Sequence, residues 1–206
     1  MTSALLSFAV VAGFLTIVPG LDTALVLRSA VTQGRGQAFA TALGVNTGVL
    51  VWGAAAAVGV SALLTASHLA YTVLRYAGAA YMVWFGVSMI LKARRGAAEP
   101  VEQDGAGGLG RAWLRGTLTN LLNPKIGVFY VALLPQFIPP DVPPLAMGLL
   151  LALVHNVEGM AWFTLLIFGT GLVRAWVQRP AVRRAVDRVT GTALIAFGVK
   201  LALSSQ

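Results

Sequence analysis

Two short motifs place charge and interrupted backbone inside apolar sequence: Pro19-Gly20-Leu21-Asp22, and Asn120 with Asn123-Pro124-Lys125. Proline withholds a backbone donor and glycine loosens a helix, so a helix carrying either motif is expected to kink or unwind there. An interrupted helix leaves carbonyls and amides free to bind something else. Those groups suit the ammonium and carboxylate of a zwitterion, and Asp22 and Lys125 add one charge of each sign. Matched Gly/Pro-interrupted segments are a sequence pointer to the binding site of a secondary transporter. Pro19, Gly20, Asp22, Asn120, Asn123, Pro124 and Lys125 are therefore the candidate substrate-binding residues.

A charge at the centre of a bilayer costs about 2.5–3.5 kcal/mol on insertion scales, so an ion there asks for a function. Bland readings stand beside that one. Asp22 lies six residues before Arg28 and could cap a helix at the membrane boundary; Lys125 could snorkel to water or pair with Asp22 for structure alone. A third polar group is His155, Asn156 and Glu158. His155 and Glu158 are three apart, the spacing of one helical face. A carboxylate in a low-dielectric cavity can carry a proton, which makes Asp22, His155 and Glu158 the candidates for proton coupling. A satisfied structural hydrogen-bond cluster is the alternative. Asn46 and Asn156 are secondary polar candidates.

The elements that must position these groups are membrane helices. Of 206 residues, 57% are hydrophobic and 11% charged, where a soluble domain carries about 25% charged residues. The apolar residues come in blocks near the ~20 residues that cross the hydrocarbon core. Backbone in lipid must satisfy its own hydrogen bonds, so the blocks are helices. Six spans are expected, at 4–27, 39–64, 69–91, 114–134, 145–172 and 186–203. The first motif falls in span one, the second in span four, and His155 and Glu158 in span five. The polar stretch 93–111, with Glu99-Pro100 and Gly105-Ala106-Gly107-Gly108, reads as a flexible cytoplasmic linker between halves 1–92 and 112–206. With the N-terminus outside, 12 of the 15 Lys and Arg residues fall in inside loops, so the positive-inside rule favours both termini outside. Met1-Thr2-Ser3 offers no basic n-region, so the first block reads as a retained span rather than a signal peptide.

The halves resemble each other. Gly13, Leu15, Thr16 and Asp22 stand at one common offset from Gly116, Leu118, Thr119 and Lys125. Three spans per half means opposite orientations, the inverted repeat of many secondary transporters. The fold class expected is thus an all-α integral membrane protein, one domain of two inverted three-helix repeats. Small residues at Ala40, Gly44 and Gly48 form a ridge for close helix contact, and Trp52, Trp84 and Trp162 read as core or interface anchors. The net charge of +8 is spread between apolar blocks, so it is no nucleic-acid stripe. Cysteine is absent, which excludes a disulfide framework and thiolate metal sites. Gly34-Arg35-Gly36 lacks the lysine and hydroxyl of a phosphate cradle. No cofactor or metal is expected. Efflux of another solute or of a cation, an intramembrane enzyme, and a partner-binding membrane subunit are the rival functions; a homodimer stays open.

On these motifs the chain resembles the lysine exporter family of amino-acid exporters, including its homoserine/threonine branch. Pro19-Gly20-Leu21-Asp22 is similar to the family's Pro-Gly-Pro-Asp and is followed by Val26-Leu27-Arg28 and Gly34-Arg35. The second hallmark stands as Gly116-Thr117-Leu118-Thr119-Asn120-Leu121-Leu122-Asn123-Pro124-Lys125, followed by Leu133-Leu134-Pro135-Gln136-Phe137. Asp187-Arg188-Val189-Thr190-Gly191 also fits. Leu21 replaces the family's second proline, and Trp52 stands where a number of members carry His. The resemblance implies export of amino acids across a bacterial plasma membrane, driven by the proton motive force, with protons as the coupling ion.

Overall fold

The computed structural model describes residues 1–18, 20–66, 68–95, 108–169, 175 and 179–203, and these are helical with no strand. The helices are α1 (Thr2–Ile17), α2 (Leu21–Thr32), α3 (Arg35–Ala66), α4 (His68–Arg95), α5 (Leu109–Leu121), α6 (Pro124–Val128), α7 (Pro144–Phe168) and α8 (Pro180–Leu203). By length and composition, α3 over Arg35–Gly59 and α7 can each cross a membrane. The pair α1 and α2, bent by 54° at the break between them, makes a third span if counted as one. Span three of the sequence reading falls on α4, span four on α5, α6 and the turns that follow, and span six on α8. Helix α4 runs to Arg95 and α5 starts at Leu109, so helix occupies both ends of the expected linker. Residues 96–107 and Pro19 lie outside the described residues.

Composition explains the exteriors. Helix α1 is apolar all round: Phe8, Ala12 and Leu15 are buried, while Leu6, Val10, Phe14 and Ile17 form an exposed stripe at helical spacing. A helix with no polar face suits lipid on its outer side.

Glycines set how closely the helices cross. A Cβ on Gly44 would run into the main-chain carbonyl of Trp113, and one on Gly116 into that of Thr41, so α3 and α5 touch backbone to backbone. The Thr117 hydroxyl donates to the Gly44 carbonyl across this contact at 3.0 Å. Gly48 meets Asn120, so two members of the expected small-residue ridge, Gly44 and Gly48, carry close contact with α5. Gly53 and Gly148 let α3 and α7 cross, and Gly86 and Gly191 do the same for α4 and α8. Gly34 has φ +91°, the left-handed conformation glycine adopts at little cost, and it turns the chain from α2 into α3.

Two apolar cores lie along the bundle. One gathers Phe8, Ala12, Leu15, Ile126, Phe129, Tyr130, Met147 and Leu151. The other, nearer the α2–α3 turn, holds Val26, Ala38, Ala42, Val45, Phe163, Leu166 and Ile167. The buried polar residues Asp22, Asn46, Asn120, Asn123, Lys125 and His155 belong to neither.

Candidate functional site

The first break follows from the residue order Val-Pro-Gly. The residue before a proline avoids the helical region, and Val18 is extended, at φ −66° and ψ 114°. Gly20 is also extended and receives no side-chain cap. Helix α1 therefore ends with its last carbonyls unserved by its own chain. Asp22 stands in the first turn of α2, where amide dipoles favour a carboxylate.

The second break is built differently. Asn123 is the N-cap of α6, and its Oδ1 accepts the Lys125 main-chain N–H at 3.1 Å. Pro124 follows at the first helical position, where its missing N–H costs nothing. Span four, expected to be interrupted at this motif, is in several pieces. After α6 the chain makes a π turn over Phe129–Leu133 and a 3-10 turn over Leu134–Phe137. Pro135 cannot donate to the preceding turn, and Gln136 Nε2 instead serves the Ala132 carbonyl at 3.0 Å.

The two breaks are joined reciprocally. Asp22 Oδ2 accepts from Asn120 Nδ2 at 3.0 Å and from Asn123 Nδ2 at 3.2 Å. Lys125 Nζ donates to the carbonyls of Leu15 and Val18, both at 3.2 Å. The carboxylate of the first motif is held by amides of the second, and the ammonium of the second holds carbonyls of the first. Hydrogen bonds to charged groups are worth about 1.5–3 kcal/mol each. Asp22 Oδ1 is buried with no hydrogen-bond partner, as is Thr16 Oγ1.

A small cavity opens at this junction. Leu15, Val18, Gly20, Asp22, Asn123 and Lys125 form its charged side, and Val45, Val49, Ile126 and Phe163 its apolar side. Its volume is about 40 Å³, room for on the order of three waters. Asn120, Asn46, Thr16, Thr23 and His155 also line it. Of the predicted substrate-binding residues, Gly20, Asp22, Asn120, Asn123 and Lys125 are brought together here, with Asn46 from the secondary set.

The structure separates His155 from Glu158. His155 lines the cavity and its Nδ1 lies 3.0 Å from the Tyr130 hydroxyl. The imidazole tautomer sets which of the two groups donates in this bond. Glu158 is not among the lining residues. It faces Gly13 of α1, where a Cβ would stand 3.6 Å from Oε1, and its Oε2 is buried without a hydrogen-bond partner. Three residues along a helix is 300°, so neighbours on one side can still border different helices. Asn156 is also off the cavity, its Nδ2 donating to the Asn46 carbonyl at 3.1 Å.

Sequence reasoning missed several participants. The Leu15 and Val18 carbonyls carry no side-chain signal. Tyr130 had one, a phenol in an apolar span that must find a partner when buried. Trp52, read as a core or interface anchor, points its indole N–H at the Asn120 carbonyl at 3.4 Å. Among the described residues no three of His, Asp and Glu come together as metal ligands.

The chain matches the family described as LysE type translocator over residues 13–205. It is 31% identical to the homoserine/homoserine lactone efflux protein of Salmonella typhimurium, over 91% of this chain and 90% of that one. It is 30% identical to the threonine efflux protein of Escherichia coli K12, over 90% and 91% respectively. To the leucine efflux protein of Klebsiella pneumoniae it is 31% identical, over 96% and 93%. No solved structure matches it.

Proposed function

We propose, on the premise that this chain belongs to the LysE type translocator family, that it exports amino acids or close derivatives from the cytoplasm of a bacterial cell. The observation that carries this reading is the paired break: one carboxylate held by side-chain amides and one ammonium held by main-chain carbonyls meet at a single cavity between two interrupted helices. Asp22 attracts the substrate ammonium through Oδ1, the oxygen that Asn120 and Asn123 leave untouched. Lys125, Asn123 and nearby amides take the carboxylate. The named substrates of the relatives are neutral amino acids or their derivatives, and the apolar side formed by Val45, Val49, Ile126 and Phe163 has room for an uncharged side chain.

The chain works by alternating access of two inverted three-helix halves. The two apolar cores on either side of the polar belt act as the gates, and the small cavity belongs to a closed state. Both termini lie outside and the basic loops inside the plasma membrane. The Arg35 guanidinium over the Phe168 ring, 4.9 Å from its centroid, supports that arrangement, since it puts the start of α3 and the end of α7 on one side. Protons drive export, with Asp22, His155 and Glu158 as candidate carriers. Glu158 sits off the cavity against α1, a place from which it can respond to the movement of that helix.

The test is export from cells fed dipeptides, screened across side-chain classes. Expression of the chain should raise efflux of neutral amino acids at least several-fold, and an uncoupler should abolish the gain. Asp22→Asn and Lys125→Ala, each checked for membrane expression, should lose it. Full export by both variants would remove the site assignment, and efflux that survives loss of gradient and potential would remove the coupling.

A further inference from the structure

Lys125 does something in this structure that a carboxylate clamp need not do. Its Nζ sits on the Leu15 and Val18 carbonyls, at the end of α1, where the helix leaves acceptors unserved. Those carbonyls carry the partial negative charge of a helix C-terminus. In lipid they cannot be left bare without a cost of several kcal/mol each. They form a ready cation subsite, and the cation in it is the protein's own primary ammonium. The substrate proposed above carries the same chemical group.

We infer that the Leu15 and Val18 carbonyls are the substrate's ammonium subsite, and that Lys125 is a tethered surrogate which the incoming ammonium displaces. The inference rests on the amino-acid transport reading of this site and adds the order of events. At rest, Lys125 satisfies the carbonyls and keeps the first break closed. An arriving amino acid places its ammonium on the same carbonyls, beside the unpartnered Asp22 Oδ1. Lys125 swings away on its flexible stem and meets the substrate carboxylate. Exchange of one ammonium for another leaves the carbonyls satisfied throughout, and the new ion pair supplies the favourable difference. Gly20 leaves the room this needs, since a Cβ there would stand 3.3 Å from Nζ.

The exchange gives Lys125 two stations, so its removal should leave a vacancy that a small primary ammonium can fill. The experiment is chemical rescue of stability in purified, detergent-solubilised protein. Lys125→Ala should melt at least several degrees below wild type. Ethylammonium at tens of millimolar should recover most of that loss, and tetramethylammonium or sodium at equal ionic strength should not. Wild type, its carbonyls already occupied, should respond to ethylammonium no more than to sodium. Where Lys125→Ala fails to accumulate, Lys125→Ser takes its place with the same expected ranking. Equal responses to all three cations, or none, would overturn the inference, as would an equal ethylammonium effect on wild type. The readout is independent of transport: rescue in a protein that exports nothing would sink the transport reading and leave the ammonium subsite standing. Export without rescue would do the reverse.

Discussion

The two breaks stand at corresponding places in the chain but are stabilised in opposite ways. The second carries its own repair: Asn123 caps α6 and Pro124 starts it. The first has no such device among the described residues, for Gly20 caps nothing with a side chain and the carbonyls of Leu15 and Val18 receive Lys125 from across the cavity. A break that is capped locally is a fixed shape. A break held from across the cavity is a joint whose state depends on where one ammonium goes. On the proposed transport reading, this asymmetry makes α1 and α2 the side of the site expected to yield, and the Asn123 turn the side expected to hold.

The largest expected effect comes from Asp22→Ala, which strips two amides of their acceptor and leaves Lys125 without its counter-charge. Breaking a buried charged network by one partner costs about 3–5 kcal/mol, so this variant should fold poorly or melt far below wild type in detergent and should not export. Equal loss from a neutral surface substitution would show that the network is not special. Gly48→Ala comes next. Its Cβ would sit 2.6 Å from Asn120 Oδ1, a strain of about 1–3 kcal/mol, and it should impair export while Gly59→Ala, which meets open space, changes neither stability nor export.

Asn123→Ala tests the fixed break. It removes the cap, worth about 1 kcal/mol, together with one bond to Asp22, and Asn123→Asp should recover the cap but not export, since it sets a second carboxylate against the first. Gly20→Ala tests the yielding break: with Nζ on a flexible stem able to shift, the melting temperature should stay within a few degrees of wild type while export falls several-fold. A large stability loss with export per folded molecule intact would reverse the roles given to the two breaks. The smallest effect belongs to Trp52→Phe, which loses one long hydrogen bond to the Asn120 carbonyl, worth about 0.5–1 kcal/mol at most; a binding or export defect beyond two-fold would mean the indole touches substrate.

Much of this site was legible in order and little of it in partnership. Pro19, Gly20, Asn123 and Pro124 announce the breaks because proline and glycine act on their own backbone, a local effect that residue type reveals. The common offset of Asp22 and Lys125 links the two motifs. Which group holds which could not be read, because main-chain carbonyls look alike at every position and only the fold decides that Leu15 and Val18 face Lys125. Spacing placed His155 and Glu158 on one side of α7, but their neighbours belong to different helices, and a single-helix pattern does not contain that information. The π and 3-10 turns after Val128 were hidden for a similar reason. Pro135 signals a disturbance, but residue type alone does not say which turn results.

The glycine crossing of α3 and α5 has a consequence for motion. With main chain against main chain at Gly44 and Gly116, no layer of side chains remains to act as a bearing, and the two helices must travel as one plate. Asn46 and Asn120 stand on these two helices, so the contact that locks the helices together also fixes the distance between the two amides. Across the edge between this pair and α1–α2, the bonds of Asp22 and Lys125 tie the site, and the Thr41 hydroxyl reaches the Ser29 hydroxyl at 3.5 Å further along. The side chains proposed to bind the substrate are the ones whose bonds close this junction, so on that reading cargo is seated only as those bonds open.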